Sequence, residues 1–400
     1  MKSTVTRAAP SLFILVFMAS LGPFGDTEYT PSLPNIAHSL HVAYGQAQLT
    51  MTVYLFGFAV SQLLYGPFSD RFGRRPVILF AISTFFVGSL ICALSTDLTM
   101  LLLGRFIQSL GACAGAVLSN AAIRDAFPPS MQTKVFLKVN TAFALAPGIG
   151  PIAGSLIDHY LGWEANFYLL AALAVLLLLS LFIAFPETNR HQNPSATKPR
   201  NILKNYLQLF RHPAYVYYIV LIGLSIGAIY CSLVEAPHLV MVELGYPSKT
   251  FVIVAICIVS GFMLGAGSCA WLGRYLHDPQ LIVTGLAIML SGSLAMGYFA
   301  YVDWVTLPTM LASIATIYIG LAFVVPVATA RALAPFEQNA GSASAMLGCV
   351  SMGLASASTY FISILPKNSP EALFITFTLL SGISLILTIL ANKLWLSEPH

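Results

Sequence analysis

The sequence has little charge. Only 8% of its 400 residues are Asp, Glu, Lys or Arg, whereas 57% are hydrophobic and the mean hydropathy is +0.81. An ordinary soluble domain carries about 25% charged residues. The composition therefore excludes a soluble domain of the ordinary kind and predicts a chain whose main solvent is the lipid bilayer.

The sequence also lacks the patterns of nucleic-acid binding, of disulfides and of metal or catalytic sites. Its formal net charge of +4 is small for this length, and phosphate contacts need a clustered basic surface. The six cysteines lie singly inside apolar segments, with no CxxC pair and no histidine at ligand spacing, which is typical of small buried side chains. No Ser/His or His/Glu constellation occurs in these segments. We therefore predict no nucleic-acid partner, no metal site and no catalytic residue.

Long apolar segments, by contrast, follow one another along nearly the whole chain. A transmembrane helix needs about 20 predominantly apolar residues, and twelve such segments can be marked, with both chain ends on the same side of the membrane. The predicted spans are residues 11–34, 47–67, 77–95, 98–123, 136–158, 165–185, 214–240, 250–273, 280–301, 306–329, 340–365 and 371–393. A secretory signal peptide is the alternative for the first span. Its apolar run continues past Phe24 without an Ala-x-Ala cleavage site, so we predict an uncleaved helix.

A stretch of charge at residues 66–76 separates the second and third spans. Its charged residues are Asp70, Arg71, Arg74 and Arg75, and its glycines are Gly66 and Gly73. Because Lys and Arg concentrate in cytoplasmic loops, we place this joint in the cytoplasm. The same choice places 16 of the 19 Lys and Arg there, leaving Lys249 and Lys367 outside and Arg105 within a span. Both termini are then cytoplasmic.

The longest polar stretch, residues 186–213, divides the spans six and six. We predict two helical bundles, residues 1–185 and 214–400, joined by this cytoplasmic linker. Apolar residues at helical spacing near its end predict a short helix on the membrane surface, with an extension of the seventh span as the alternative. The second bundle carries a reduced copy of the charged stretch at Gly273-Arg274.

Few ionisable residues fall inside the spans, where each costs about 2.5–3.5 kcal/mol and is a functional candidate. Arg105 lies about 11 Å from the outer end of the fourth span, and Asp26 lies about 12 Å from the outer end of the first. This equal depth predicts that Asp26, with Glu28 half a turn further out, faces Arg105 across a polar cavity. Helix caps in water are the alternative for both carboxylates. Glu235 in the seventh span is either a second titrating group or a water-exposed carboxylate.

The fifth span combines helix-breaking residues with glycines. Pro147, Gly150, Pro151 and Gly154 lie within eight positions of one another. In a membrane helix such residues allow a kink and a close approach of the backbone to a neighbouring helix. We therefore predict a moving helix interface in this span.

These motifs together resemble those of a known family. Residues 66–76 resemble the signature between helices two and three of the major facilitator superfamily, and Arg105-Phe106-Ile107-Gln108 resembles its fourth-helix motif. Residues 150–154 resemble the fifth-helix motif of its antiporters. With Tyr29-Thr30-Pro31 and Arg124-Asp125, the pattern is similar to the drug:proton antiporters of the Bcr/CflA branch, the bicyclomycin and chloramphenicol resistance type. The resemblance covers nearly the whole chain.

The resemblance implies an all-α membrane protein with twelve transmembrane helices in two six-helix bundles, the major facilitator fold. It implies a multi-pass protein of the bacterial inner (plasma) membrane, which we expect to be a monomer. Asp70 would meet the start of the eleventh helix, whose amide groups favour an anion, and Arg74 would pair with Asp125. These bonds would form a conformational latch of the outward-open state, and Arg105 would take part in proton coupling.

The predicted function is the export of small amphipathic compounds or drugs in exchange for protons by alternating access. The partners are then a small-molecule substrate and the lipid bilayer, with protons as the coupling ion and no cofactor. Tyr54, Phe58 and Tyr230 are candidates to line the cavity, with ordinary packing as the alternative. Where such exporters often carry acidic residues in the first helix, this chain has Ala19 and Thr27. The alternatives are an uptake carrier for a nutrient and, more remotely, a membrane-embedded enzyme or sensor.

Overall fold

The chain is helical throughout the part that the structure describes. The structure, a computed structural model, describes residues 9–189, 192–366 and 371–393, and no strand occurs in these ranges. Four residues that entered the charge count lie outside the described residues, namely Lys2, Arg7, Arg190 and Lys367. The all-α prediction is confirmed for the described part of the chain.

Fourteen α-helices follow one another in these ranges. They are α1 (Leu12–Thr27), α2 (Leu33–Ser39), α3 (Tyr44–Phe72), α4 (Arg74–Ala93), α5 (Leu98–Ala126), α6 (Pro129–Leu161), α7 (Glu164–Ala184), α8 (Pro199–Leu209), α9 (Pro213–His238), α10 (Phe251–Leu272), α11 (Asp278–Tyr301), α12 (Leu307–Leu333), α13 (Ala340–Ile364) and α14 (Glu371–Ala391). Eleven of them, α3 to α7 and α9 to α14, are long and apolar enough to cross a membrane. Together with α1, they correspond one to one to the twelve predicted spans.

The first span differs from its prediction as one helix over residues 11–34. α1 ends at Thr27, a 3₁₀ turn with Pro31 in its first positions follows, and α2 comes next. A proline has no N–H to donate to the helix ladder, which explains the break. Asp26 and Glu28 therefore lie at an interruption of the span rather than inside a continuous helix.

The charged stretch at residues 66–76 is almost entirely helical. α3 runs through it to Phe72 and α4 begins at Arg74, so Gly73 alone forms the joint, with a φ of 99° that favours glycine. The 29 residues of α3 are about 43 Å long at 1.5 Å per residue, against about 30 Å for the hydrocarbon layer. The charges therefore project beyond the membrane as extensions of two helices instead of forming a loop.

Two sets of helices pack mainly within themselves, and we call them the first half (α1 to α7) and the second half (α9 to α14). The halves meet where α3 packs against α13, where α6 packs against α10, and where the turn before α2 touches α9. We call the side on which α3 ends the linker side, because residues 185–212 lie there, and the opposite side the far side.

A short helix on the linker side contacts both halves. α8 is separated from α9 by residues 210–212, so the prediction of a separate helix is confirmed and the extended seventh span is wrong. Tyr206 and Leu209 of α8 are buried, and the Tyr206 hydroxyl donates a 3.0 Å hydrogen bond to the carbonyl oxygen of Leu63 in α3. α8 also packs against α13.

Candidate functional site

The two halves enclose a cavity that opens on the linker side. Its volume is about 800 Å³, which lies in the range of small-molecule sites. It reaches Ala19 in the middle of α1. Its walls carry uncharged polar side chains, among them Gln62, Ser119, Asn120, Asn140, Asn205 and Ser344, with Asp70, Arg74 and Arg124 as its charged lining residues. A small, largely uncharged molecule therefore fits this space by size and by polarity.

The three aromatic residues predicted to line the cavity do not line it. Tyr54, Phe58 and Tyr230 are all buried, none more than 7% exposed, and none contributes to the cavity wall. Packing, the alternative reading, is what this conformation shows. The ring of Tyr54 lies against the guanidinium of Arg105, and the hydroxyl group of Tyr230 donates to Asp26. The ring centroid of Phe58 lies 6.4 Å from that of Tyr54.

The far side is closed by polar contacts between α3 and α9. The Gln48 amide nitrogen donates to Oε2 of Glu235 at 2.6 Å and to the carbonyl oxygen of Val234 at 2.9 Å. The Tyr44 hydroxyl donates to the same carbonyl, and its ring centroid lies 4.5 Å from that of His238. We call these five residues the far-side seam. Glu235 is only 4% exposed, so the water-exposed alternative is wrong for this conformation.

A second contact across the halves involves Asp26. The Tyr230 hydroxyl of α9 donates a 2.8 Å hydrogen bond to Oδ2 of Asp26 in α1. Asp26 is only 3% exposed, and its Oδ1 has no hydrogen-bond partner in the described structure. A helix cap in water is therefore not its position here. Asp26 lies at the interface between the halves, where any opening of the far side must separate it from Tyr230.

Arg105 is buried in the first half between aromatic rings. Its guanidinium carbon lies 4.0 Å from the ring centroid of Tyr29 and 4.1 Å from that of Tyr54. Its Nη1 donates to the carbonyl oxygen of Gly25 at 3.2 Å and to Oε1 of Gln108 at 2.5 Å. Cation–π contacts of a desolvated guanidinium are worth about 2 kcal/mol. Two rings and two oxygens thus hold this buried charge.

The predicted polar cavity between Arg105 and the first-span carboxylates is not present. In the described part of the chain, no carboxylate oxygen lies within 4.0 Å of Arg105. Depth along a helix does not fix the direction in which a side chain points, and the ring of Tyr29 fills the space instead.

Glu28 is enclosed where α6 approaches the end of α1. A Cβ on Gly154 would lie 1.6 Å from the carbonyl oxygen of Glu28, and one on Gly150 would lie 3.0 Å from its backbone nitrogen. Only glycine permits this approach, as the fifth-span motif predicts, and α6 continues as a helix through Pro147 and Pro151. Glu28 is fully buried, and neither carboxylate oxygen has a hydrogen-bond partner in the described structure.

The charged stretch forms an ion-pair cluster within the first half. Arg74 donates from Nε to Oδ2 of Asp125 at 3.0 Å and from Nη1 to Oδ1 of Asp70 at 2.5 Å. Its Nη1 also donates to the Ser69 hydroxyl. The pair between Arg74 and Asp125 is therefore present, as the resemblance implied.

The contact expected between Asp70 and the start of α13 is absent. Asp70 and Gly341 both line the cavity, and the Asp70 carboxylate is bound by Arg74 instead. The physical reason is that the cavity opens between the end of α3 and the start of α13. The pair between Arg74 and Asp125 lies within the first half and is present with the linker side open, although the resemblance assigns it to a latch of the outward-open state.

The other residues of the charged stretch have separate positions. Gly66 lines the cavity, and Gly73 forms the joint between α3 and α4. Arg71 donates to the hydroxyl of Thr197 in the linker, and Arg75 donates to the carbonyl oxygen of Phe182 at the end of α7. Arg71 and Arg75 therefore tie the stretch to the linker and to α7.

The linker binds both helix ends at the charged stretch, a contact that sequence reasoning missed. The Glu187 carboxylate accepts from the backbone nitrogens of Arg74 and Arg75 at 2.9 and 3.0 Å, which satisfies the free amides at the start of α4. At the end of α3, the Asn189 amide donates to the carbonyl oxygens of Ser69 and Asp70. A carboxylate directly after the sixth predicted span was the only available signal.

The second half contains a counterpart of the first-half ion pair with the charges exchanged. Arg74 begins α4 and pairs with Asp125 near the end of α5, whereas Asp278 begins α11 and pairs with Arg331 near the end of α12. An acid at a helix start and a base at a helix end is the arrangement that the helix dipole favours. The repeat noted at Gly273-Arg274 thus extends to these two residues.

A bundle of apolar helices in two halves, with a cavity open on one side and a closed seam on the other, defines a membrane carrier of the alternating-access type. The model of the Major Facilitator Superfamily matches residues 12–359. The chain belongs to the major facilitator superfamily.

Relatives match this chain over nearly its whole length. The chain is 28% identical over 394 residues to a protein of Haemophilus influenzae named bicyclomycin resistance protein homolog, covering 95% of each chain. It is 27% identical over 376 residues to multidrug resistance protein D of Escherichia coli, covering 94% of each. It is 29% identical over 395 residues to multidrug resistance protein MdtL of Klebsiella pneumoniae, covering 97% of this chain and 96% of the relative.

Solved structures share the fold. A D-xylose–proton symporter matches with a TM-score of 0.73 at 16% identity, over 93% of this chain and 96% of that chain. A peptide transporter matches with a TM-score of 0.77 at 14% identity, over 96% and 93%. At these identities the likeness concerns the fold, and it confirms the twelve-helix architecture.

Proposed function

We propose that this protein exports small amphipathic compounds or drugs from the cytoplasm in exchange for protons. The names of its relatives, which include bicyclomycin and multidrug resistance proteins, support this class of cargo. The observation that carries the proposal is the hydrogen bond between Tyr230 and Asp26, because it joins a carboxyl group to the interface that must open and close.

The proposed cycle has two states of Asp26. When the far side is open, Asp26 faces water and accepts a proton. Burying a neutral carboxyl group costs far less than burying a carboxylate, so protonation permits the far side to close with Tyr230 donating to Oδ2. In this state, in which the linker side is open, Asp26 releases its proton to the water on the linker side as a compound enters the cavity. The recharged carboxylate then favours return to water on the far side.

Arg105 and Glu28 act on this cycle from the first half in our proposal. The guanidinium of Arg105 donates to the carbonyl oxygen of Gly25, the residue before Asp26. A movement of this part of α1 therefore alters its contact with the buried positive charge of Arg105. Glu28 lies against α6 at Gly154 and is a second candidate to carry the proton. Glu235 is a third, because Gln48 donates to it across the far-side seam.

We propose that the linker side faces the cytoplasm of a bacterial cell and that the moving units are residues 1–185 and 214–400. Of the fifteen Lys and Arg that the structure describes, thirteen lie on the linker side, with Lys249 on the far side and Arg105 buried. Such asymmetry is typical of cytoplasmic loops. We further propose a monomeric carrier, without catalytic chemistry of its own, whose only coupling species is the proton.

Transport in proteoliposomes under an imposed proton gradient tests the function. A panel of drugs, metabolites and sugars is loaded inside or outside, and the gradient is applied in either direction. We expect accumulation of drug-like compounds on the side with more protons, because antiport moves proton and cargo in opposite directions. Accumulation of a nutrient on the side with fewer protons would establish the uptake alternative instead.

A further inference from the structure

α8 presents a second apolar surface besides the one that packs on the protein. Its buried side chains are Tyr206 and Leu209, whereas Leu203 and Leu207 are 59% and 54% exposed and Phe210 just beyond its end is 46% exposed. Residues 203 and 207 are four apart and therefore adjoin on one face of the helix. An exposed stripe of large apolar side chains is typical of a surface that contacts a partner or the membrane.

Basic side chains border this stripe. Arg200 and Lys204 are also four apart, so they form a second row beside Leu203 and Leu207, and both are exposed. Lys198 and Arg211 flank the helix and are exposed as well. Among the residues that the structure describes, no carboxylate lies within 4.0 Å of any of these four cations. The surface thus combines an apolar stripe with unneutralised positive charge.

We propose that this face of α8 is a docking surface for anionic phospholipids of the membrane leaflet on the linker side. Acyl chains cover Leu203, Leu207 and Phe210, and the phosphate headgroup pairs with Arg200 and Lys204. An amphipathic helix with basic residues along an apolar face binds anionic bilayers in this way. A zwitterionic lipid offers the same chains without the net negative charge, so charge complementarity selects the anionic class.

The position of α8 gives this lipid contact a consequence for the cavity. The opposite face of α8 contributes Ile202, Asn205 and Tyr206 to the cavity wall, and Tyr206 bonds to Leu63 of α3. A lipid that holds the outer face of α8 at the membrane surface therefore holds one wall of the cavity mouth in place.

Native mass spectrometry of the purified full-length protein tests the proposal without any transport assay. The protein is extracted from nanodiscs that contain phosphatidylglycerol and phosphatidylcholine in equal amounts, and the retained lipids are counted. We expect phosphatidylglycerol to be retained preferentially, and the double variant Arg200→Gln/Lys204→Gln to lose that preference by about fivefold for each charge removed. Because lipid retention is read directly, failure of the proposed drug export would leave this result unchanged.

The matched control is Lys134→Gln/Lys138→Gln on α6. These two lysines are likewise four apart, exposed and on the linker side, so the control removes the same charge with the same spacing. Retention of phosphatidylglycerol by the control at the wild-type level supports a specific surface on α8. An equal loss in both double variants, or equal retention of the two lipids by the wild type, would overturn the proposal.

Discussion

The hydroxyl group of Tyr230 in α9 donates a 2.8 Å hydrogen bond to the carboxyl group of Asp26 in α1. The two residues are 204 positions apart and belong to different halves. Because Asp26 is buried and makes this contact across the interface, we expect opening of the far side to change both its hydrogen bonding and its access to water. The hydrogen bond between Tyr230 and Asp26 thereby couples the surroundings of the Asp26 carboxyl group to the relative position of the two halves.

Replacement of Tyr230 by phenylalanine tests this link. Tyr230→Phe removes the donor but keeps the ring, and a hydrogen bond of this kind is worth about 1.5 kcal/mol. We expect the far-side-open population to rise about tenfold. Pulsed electron spin resonance between labels in the α2–α3 loop and in residues 244–247 measures that population directly.

Tyr217→Phe is the control for this change. Its hydroxyl bonds to that of Thr388 at 3.0 Å, and both residues belong to the second half. The same atom is removed, but no contact between the halves is lost. Equal far-side distances in the two variants and the wild type would contradict the role of Tyr230 at the interface.

Alanine at Gly154 tests the close approach of α6 to α1. The added methyl group would lie 1.6 Å from the carbonyl oxygen of Glu28, so the helices must separate. We expect Gly154→Ala to lower the thermal unfolding temperature in detergent and to reduce transport at least severalfold. Gly267→Ala in α10 has nothing within 4 Å of its new methyl group and should stabilise its helix by about 0.5–1 kcal/mol. If the two variants unfold at the same temperature, the α1–α6 contact is not constrained as described.

Loss of the Glu187 carboxylate tests the cap at the start of α4. Glu187→Ala leaves the backbone amides of Arg74 and Arg75 without their acceptor, and loss of a helix cap costs about 0.5–2 kcal/mol. Hydrogen exchange at these two amides should accelerate about two- to thirtyfold. Glu243 is an exposed residue on the far side, and the control variant Glu243→Ala should leave the exchange of these amides unchanged. Unaltered exchange in Glu187→Ala would show that the Glu187 carboxylate does not cap α4.

The spans are predictable from the sequence because hydropathy acts over whole segments of about 20 residues. The positions of single side chains are less predictable. Asp26 and Arg105 have equal predicted depths in the membrane, but helix α1 ends at Thr27. Beyond this end, Tyr29 packs against Arg105. The carboxyl group of Asp26 instead contacts Tyr230. Rotation about a helix axis is set by such tertiary contacts, and periodicity in a span that is apolar on all sides carries little information about it.

The pairing of the charged stretch with α5 is easier to predict from the sequence than the contacts of the stretch with the linker. The pairing of Arg74 with Asp125 followed from a motif, and the structure contains it. The caps supplied by Glu187 and Asn189 were missed, because they depend on where the linker returns after α7. The absence of a contact between Asp70 and α13 reflects the conformation, in which the linker side is open.

Proton release on binding shows whether Asp26 exchanges its proton for cargo. Purified protein in weakly buffered detergent solution is mixed with a compound that it transports, and a pH indicator records protons released. We expect proton release by the wild type and none by Asp26→Asn, which imitates the protonated carboxyl group. Fluorescence or calorimetry should still detect binding by this variant. Proton release by Asp26→Asn equal to that of the wild type, or proton uptake by the wild type, would contradict exchange of cargo for a proton on Asp26.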